Sequence, residues 1–510
     1  MGSMARLGVD TGGTFTDVVG DDGHVVKVPS TPDDPGRAVR EACADLRPDV
    51  LAHGTTVATN AMLERKLGRV ALVTTRGFAD VIEIARQARP SLYDPHVDRP
   101  PALVPRELRF EVRGRLDAQG REVEPFDGVV PDVGSVDAVA VCLLHADLEP
   151  AHEQAVAAVL RDRGMAQIVC SHEVSPEFRE YERMVTSVAD AALRPVCAAY
   201  LRSLSTLADD VLVMTSAGGL VPLADAATHP ARLLLSGPAA GARAAAAVAM
   251  ACGLPDAVAF DMGGTSTDVC LVRGGVPEPA NTRRVAGLPV RLPALAVHTI
   301  GAGGGSIARL DAGGALVVGP ESAGARPGPA CYGAGGIAAT VTDADVALGR
   351  IPVDAVLPGF GRLDAAAAHD ALAQAGVTSA GVVAVVDAAM ERAVRVVTVE
   401  QGIDPRALAL VAFGGAGPLH ACAIAERLGM RAVIVPPRAG VFSAVGLVCS
   451  PEQRELVRTW RTPQSTVGLE DARDALAAAA GSLLVDGEVE TWLDCRYTGQ
   501  SHELPVREVS

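Results

Sequence analysis

One short phrase occurs twice in this chain, far apart, and it limits the possible folds more than any other feature. Residues 8–19 read Gly-Val-Asp-Thr-Gly-Gly-Thr-Phe-Thr-Asp-Val-Val, and residues 259–270 read Ala-Phe-Asp-Met-Gly-Gly-Thr-Ser-Thr-Asp-Val-Cys. Both fit D-x-G-G-T-x-T-D-V. The first copy supplies Asp10, Gly12, Gly13, Thr14, Thr16 and Asp17; the second supplies Asp261, Gly263, Gly264, Thr265, Thr267 and Asp268. Each copy follows a short β-prone run (6–9, 257–260) and leads into another (18–19, 269–272), the pattern of a tight β-hairpin with a glycine turn. A Gly-Gly-Thr turn offers consecutive backbone N–H groups and hydroxyls, which suit phosphate oxygens. The flanking carboxylates Asp10, Asp17, Asp261 and Asp268 suit a hard cation such as Mg²⁺ held near phosphates. Two such hairpins point to a duplicated fold whose halves grip a nucleotide from opposite sides.

The rest of the chain narrows the class. At 510 residues, with 49% hydrophobic side chains, it is long enough for two or three domains with real cores. The net charge of −16 argues against nucleic acid, whose phosphates are gripped by clustered Lys and Arg. Aromatics are only 3%, so stacking platforms for single strands are scarce. Lys occurs only at Lys27 and Lys66, and neither has the context of a Walker-type loop. The ten cysteines lack a C-x-x-C pair or zinc spacing, and no signal peptide is evident, so a cytoplasmic protein with reduced thiols is expected. Cys331, in Pro-Gly-Pro-Ala-Cys-Tyr-Gly, reads as a small buried residue. The uncharged stretch 407–425 contains Gly414-Gly415-Ala416-Gly417-Pro418 and reads as strand, turn and helix, not as a membrane span.

Strand and helix signals alternate. Strands are expected at 24–28, 51–53, 70–74 and 138–144, and helices at 35–46, through Leu63 from Gly54, and at 150–163. Residues 89–131 read as an inserted, partly irregular segment. Ser175-Pro176-Glu177 has the form of a helix start, with the helix running to about Arg194-Pro195. The order repeats from about Ala257 to Gly446. This is an α/β protein with the strand–strand–strand–helix halves of a duplicated actin-like or sugar-kinase-like ATPase fold, two RNase H-like halves around a nucleotide cleft.

Several phrases resemble signatures of the hydantoinase A/5-oxoprolinase family, which includes acetone carboxylase subunits. They are 53–61 (His-Gly-Thr-Thr-Val-Ala-Thr-Asn-Ala), 74–78 (Thr-Thr-Arg-Gly-Phe), 171–183, 235–239 (Leu-Ser-Gly-Pro-Ala), 298–306, 341–345 (Val-Thr-Asp-Ala-Asp) and 413–420 (Phe-Gly-Gly-Ala-Gly-Pro-Leu-His). The resemblance implies three segments: 1–200 and 201–450 as the two ATPase halves, and 451–510 as the opening of a C-terminal domain cut short. It implies ATP and Mg²⁺ as cofactors. Asp10 and Asp261 would serve the metal, with Asp261 also a candidate base, and Thr14 and Thr265 would face phosphate oxygens. The second acids, Asp17 and Asp268, would either brace the hairpins or touch the metal. Gly303 and Gly304 would line the cleft near the phosphates, and Gly414, Gly415, Ala416 and Gly417 would take the adenosine. His53, His298 and His420, beside glycine-rich turns, read singly as structural; His172 and Glu173 lack spaced partners for a metal.

The activity implied is ATP-dependent phosphorylation of a cyclic amide such as hydantoin, 5-oxoproline or a related lactam, activating it for ring opening together with a hydantoinase B-like subunit. The alternatives are the ATP-using subunit of a ketone carboxylase and a non-catalytic ATP-driven switch of the same superfold. No nucleic-acid or membrane partner is expected. Two departures from the family pattern, Ala192 in Asp190-Ala191-Ala192-Leu193 and Ala217 in Thr215-Ser216-Ala217-Gly218-Gly219, replace a usual Tyr and Asn. They lead to the expectation of a less polar substrate pocket.

Overall fold

The structure, a computed structural model, describes residues 4–13, 15–31, 34–357, 360–462, 464–484, 486–500 and 503–507. The chain forms two compact units that interleave along the sequence. The first comprises residues 1–65, 197–282 and 293–451, and the second 66–196, 283–292 and 452–510. The chain thus leaves the first unit and returns to it twice, whereas the sequence reading placed consecutive segments at 1–200, 201–450 and 451–510.

Two sheets of one design build the first unit. In the first, the order is Leu220–Pro222, Asp210–Met214, Pro48–Thr55, Met4–Thr11, Phe15–Gly20, Val25–Pro29. In the second it is Val276–Pro277, Thr267–Arg273, Ala257–Met262, Ala409–Phe413, Ala432–Ile434, with Val297–Ile300 also pairing to Thr267–Arg273. In both, the strand before the glycine turn pairs antiparallel with its hairpin partner and parallel with a strand from far along the chain. Strands flanked on both sides and covered on both faces must be apolar throughout, and Ala257–Phe260 and Ala409–Phe413 are buried at every position.

Small residues let this core close. The helices Gly237–Ala251 and Phe442–Cys449 pack together in a cluster that contains Ala239, Ala240, Ala245, Ala249 and Leu447, together with Ala52 and Met214 of the first sheet and Ala259 and Phe413 of the second. A side chain at Gly446 would collide with the Ala240 carbonyl, so the helices meet backbone to backbone. A second cluster, on the other face of the second sheet, includes Val258, Phe260, Leu410, Val386, Met390 and Ile424.

The second unit has a four-stranded sheet, Ile168–Cys170, Ala138–Cys142, Val70–Thr75 and Arg109–Val112, parallel throughout. The expected strands and helices of this region are present, and so is the strand–turn–helix at Ala409–Phe413 and Gly417–Leu428. The expected helix start at Ser175 is not. A short helix, Ser171–Val174, ends there, and the long helix runs Glu180–Arg202, straight through Pro195. The cap signals are spent on tertiary bonds: the Ser175 hydroxyl donates to the Arg291 carbonyl, and the Glu177 carboxylate pairs with the Arg291 guanidinium at 2.5 Å. Cys331 is fully buried, as expected, and burial pushes its thiol pKa up. Among the described residues no single helix is long and apolar enough to cross a membrane.

Candidate nucleotide site

Antiparallel register places Asp10 directly opposite Asp17 and Asp261 directly opposite Asp268. The repeated phrase is therefore a repeated geometry: an acid on each strand, facing across the pair, beneath a glycine turn. Each of the four is half-buried, open on one side but crowded by protein. Burial, then the charges of Asp17 and Asp261, pushes the Asp10 pKa up to about 8, with Lys27 opposing. Burial and then Asp268, with a smaller push from Asp17, lift Asp261 to about 7, against a bond from Ser443. Carboxylates of the two hairpins, both in the first unit, thus feel one another's charge.

The second acid of each pair is already engaged. Asp17 accepts from Lys27 Nζ at 2.6 Å, and Lys27 also lies 4.7 Å from the Phe15 ring centre. Asp268 accepts from the Thr299 hydroxyl at 2.5 Å, although burial still raises its pKa to about 6. Asp10 and Asp261 form no ion pair among the described residues; Asp261 accepts a long bond from Ser443 Oγ at 3.4 Å. Each sits beside a glycine, Gly54 within the strand Pro48–Thr55 and Gly414 just past the strand Ala409–Phe413. A Cβ at Gly54 would lie 2.8 Å from Asp10 Oδ1, and one at Gly414, whose φ is +83°, would collide with Asp261 Oδ1.

Three glycine segments meet at the second turn. Gly304 N donates to Gly263 O at 3.0 Å and Gly305 N to Gly264 O at 2.6 Å, and a Cβ on Gly303 would stand 2.8 Å from the backbone of that turn. The 414–417 turn joins them through Ala416 N to Met262 O at 2.9 Å. Gly417 and Pro418 open the helix Gly417–Leu428. Gly13 and Gly415 differ from these: a Cβ on either would meet nothing within 4 Å. The first turn is closed by Gly12 N to Phe15 O at 3.0 Å, and Ser30 Oγ donates to Gly12 O at 2.7 Å.

The threonines divide by position. Thr16 and Thr267 are fully buried and committed internally, Thr16 to the Ser30 hydroxyl at 3.2 Å and Thr267 to the Ala302 carbonyl at 2.7 Å. Their placement braces the turns. Thr265 is exposed in the second turn, as is Gly264, with Gly263 half-buried; Thr14 lies outside the described residues. His53 is structural: Nδ1 donates to Val9 O at 3.0 Å, Nε2 lies 2.7 Å from the Tyr200 hydroxyl, and burial drops its pKa to about 4.

Two groupings escaped the sequence reading. His420 sits fully buried between Asp387 (Nδ1 to Oδ1, 2.7 Å) and Asp345 (Nε2 to Oδ2, 3.2 Å). Its signal was present in the paired acids of Thr342-Asp343-Ala344-Asp345, but their partner lies far along the chain. In the second unit, Glu153, Cys170 and His172 cluster closely enough to hold an ion. The Glu153 carboxylate already accepts four bonds, from Leu143 N, Ser171 Oγ, His172 N and His172 Nδ1, which fits a structural hub and leaves no lone pair for a metal. Ala192 and Ala217 are both interior residues, in different units, where their small size serves packing.

Comparison with known proteins agrees along most of the chain. The hydantoinase/oxoprolinase N-terminal region matches residues 6–164 and hydantoinase/oxoprolinase matches residues 183–455. The sequence is 35% identical to the caprolactamase subunit alpha of Pseudomonas jessenii, over 98% of this chain and 80% of that one. It is 34% identical to 5-oxoprolinase 1 of Arabidopsis thaliana, covering 98% of this chain but only 46% of the plant protein. The crystal structure of the ATP-dependent caprolactamase from Pseudomonas jessenii superposes with a TM-score of 0.83, at 33% identity over 99% of this chain and 81% of that chain. The nucleotide-free structure of acetone carboxylase, from work on its ATP-dependent carboxylation, gives 0.76 at 25% identity, again over 99% and 81%.

Proposed function

The chain belongs to the hydantoinase/oxoprolinase family, and on that premise we propose that it is the ATP-using subunit of an enzyme that activates a cyclic amide for ring opening. The observation that carries the proposal is the pair of glycine-turn hairpins built to one register, with the Asp10 carboxyl pushed up by burial and then by the charges of Asp17 and Asp261. We read the two sheets of shared strand order as the two RNase H-like halves of an actin-like, sugar-kinase-like ATPase.

A lactam resists water because amide resonance must be broken before attack. Phosphorylation of its carbonyl oxygen removes that protection: the oxygen bonds to the γ-phosphorus, the bond to the β-phosphate oxygen breaks, and the amide N–H proton leaves to a base. Phosphoryl transfer asks the protein for position and charge, not for a covalent intermediate. The N–H groups of Gly12 and Gly263 close their turns onto Phe15 O and Ser266 O, so the phosphates take the backbone N–H groups of Gly13, Gly264 and Thr265, and Thr265 adds a hydroxyl. Gly13 and Gly415, with open space where a side chain would be, let the nucleotide approach the backbone. Gly414, Ala416 and Gly417 shape the adenosine side, and Gly303 and Gly304 back the second turn. Asp261 is the candidate base for that proton.

Asp10 and Asp261 fit Mg²⁺: they are hard oxygen donors that form no ion pair among the described residues, and the like charge around them, only partly offset at Asp10 by Lys27, asks for a cation. Bound there, the ion would neutralise phosphate charge. Asp17 and Asp268, held by Lys27 and Thr299, keep the hairpins in register around it.

The test is ATP hydrolysis with a hydantoinase B-like subunit present, challenged with 5-oxoproline, hydantoin, plain lactams and ketones. Stimulation by a cyclic amide supports the proposal. Stimulation by ketones with bicarbonate alone would instead make the chain the ATP-using subunit of a carboxylase, like the acetone carboxylase it resembles.

A further inference from the structure

The buried charges around His420 lie outside the chemistry above, yet they reach both glycine segments of the nucleotide site. His420 is on the first turn of Gly417–Leu428, Asp345 on Val341–Ala347 and Asp387 on Ser379–Val397. One histidine therefore ties three helices together. From the Val341–Ala347 helix, one turn before Asp345, Thr342 donates through both its backbone N (2.7 Å) and its hydroxyl (2.8 Å) to Gly304 O. Gly304 in turn donates to the second hairpin turn at Gly263. On the other side, His420 follows directly on the 414–417 turn, and Arg350 Nη1 holds Leu419 O at 3.3 Å while lying 3.5 Å from Asp345. The Ala416 methyl stands 3.7 Å from where a side chain on Gly304 would begin.

We propose that His420 is a positioning residue whose charged imidazole, clamped between Asp345 and Asp387, locks the 303–305 and 414–417 glycine segments into one nucleotide-binding surface. The proposal rests on the nucleotide reading of that site. The charge matters because the pocket holds two carboxylates against His420 and Arg350, a neutral total only when the imidazole is protonated. A neutral ring would turn a bare lone pair toward one carboxylate and leave a net buried charge, a costly state in a dry interior. Against burial, which lowers it, Asp387 by its hydrogen bond and both acids by their charge raise the His420 pKa to about 9, Asp345 acting as an ion-pair partner 3.2 Å away and not through an aligned hydrogen bond. Facing charges are Asp345 and Arg350 from the Val341–Ala347 side and Asp387 from Ser379–Val397; the Ala409–Phe413 strand contributes none.

The experiment compares the wild-type chain with His420→Gln, which keeps a polar side chain but no charge. Binding of a non-hydrolysable ATP analogue with Mg²⁺ is measured by calorimetry, alongside the ATP KM, kcat and melting temperature. The expected result is an analogue Kd and ATP KM raised about 10- to 100-fold, with kcat within about threefold, the pattern of a misplaced binding surface with intact chemical groups. A folded His420→Gln variant that binds as tightly as wild type overturns the inference and leaves the nucleotide site standing. A wild-type chain that binds no nucleotide overturns the site itself. If His420→Gln does not fold, the wild-type pH series decides. Kd weakening about tenfold from pH 8 to 10 as the imidazole loses its proton supports the role. A flat or tightening series overturns it.

Discussion

Asp10 and Asp261 are under opposite demands. Folding crowds them with like charge, while their proposed role beside a cation asks them to be charged. Replacing either with Asn removes the crowding and keeps the shape. Asp10→Asn or Asp261→Asn should therefore lower ATP turnover on the order of 10²–10³-fold, the scale of losing one electrostatic group, without lowering the melting temperature. Wild-type turnover in both variants would remove them from the chemistry. The same crowding makes a signed pH prediction. A carboxyl whose folded pKa lies above its unfolded value stabilises the fold fully below about 4 and loses that contribution as pH rises through its folded value. With folded values near 8 and 7, the ligand-free protein should lose melting temperature between pH 5 and 8, and Mg²⁺ with nucleotide should restore it. A melting temperature that rises over that range in the ligand-free protein would contradict the placement. At this scale the repeated phrase carried Asp10 and Asp261 in plain view, because both copies use one register. It did not separate Thr16 and Thr267 from the threonines of the turns, since whether a hydroxyl faces inward depends on Ser30 and on the Ala302 carbonyl, neither of them in the phrase.

Between elements, glycines do two different jobs. Gly303 is a packing glycine: a methyl there would press on the backbone of Gly263–Thr265, which cannot give as a side chain can. Gly303→Ala should cost about 1–3 kcal/mol, the usual range for overpacking, and displace the second turn, so melting temperature and ATP turnover fall together. Gly415 faces open space, so Gly415→Ala should leave the melting temperature unchanged while raising the ATP KM. A Gly415→Ala variant with an unchanged KM would take that glycine out of the nucleotide contact. Helix ends were less legible than hairpins. Ser175 and Glu177 have the chemistry of a cap, but Arg291, more than a hundred residues away, claims both, and no local pattern announces a distant competitor. Pro195 reads locally as a helix end, whereas the helix continues through it to Arg202.

For the whole molecule, kinship with a protein named as a subunit, caprolactamase subunit alpha, bears on activity. The chain alone should show weak ATP hydrolysis and little or no ring opening, with substrate-dependent hydrolysis rising when a hydantoinase B-like subunit is added. Full lactam hydrolysis by this chain alone would refute that division of labour. The α/β class was legible from alternating strand and helix signals, but the interleaving of the two units was not, because parallel pairing joins strands that share no local signal.

That interleaving bears on how the chain is made. The second unit's four-stranded sheet is complete within residues 70–170, so it can close as soon as that stretch leaves the ribosome. The first sheet cannot: Pro48–Thr55 waits for Asp210–Met214, roughly 150 residues later, which at about 5–20 residues per second is on the order of ten seconds of synthesis. During that interval a buried-type strand stands with one edge unpaired, an open template for another chain. The demand for chaperone protection is thus concentrated in a definite window of translation, ending when the strand that follows the long helix arrives.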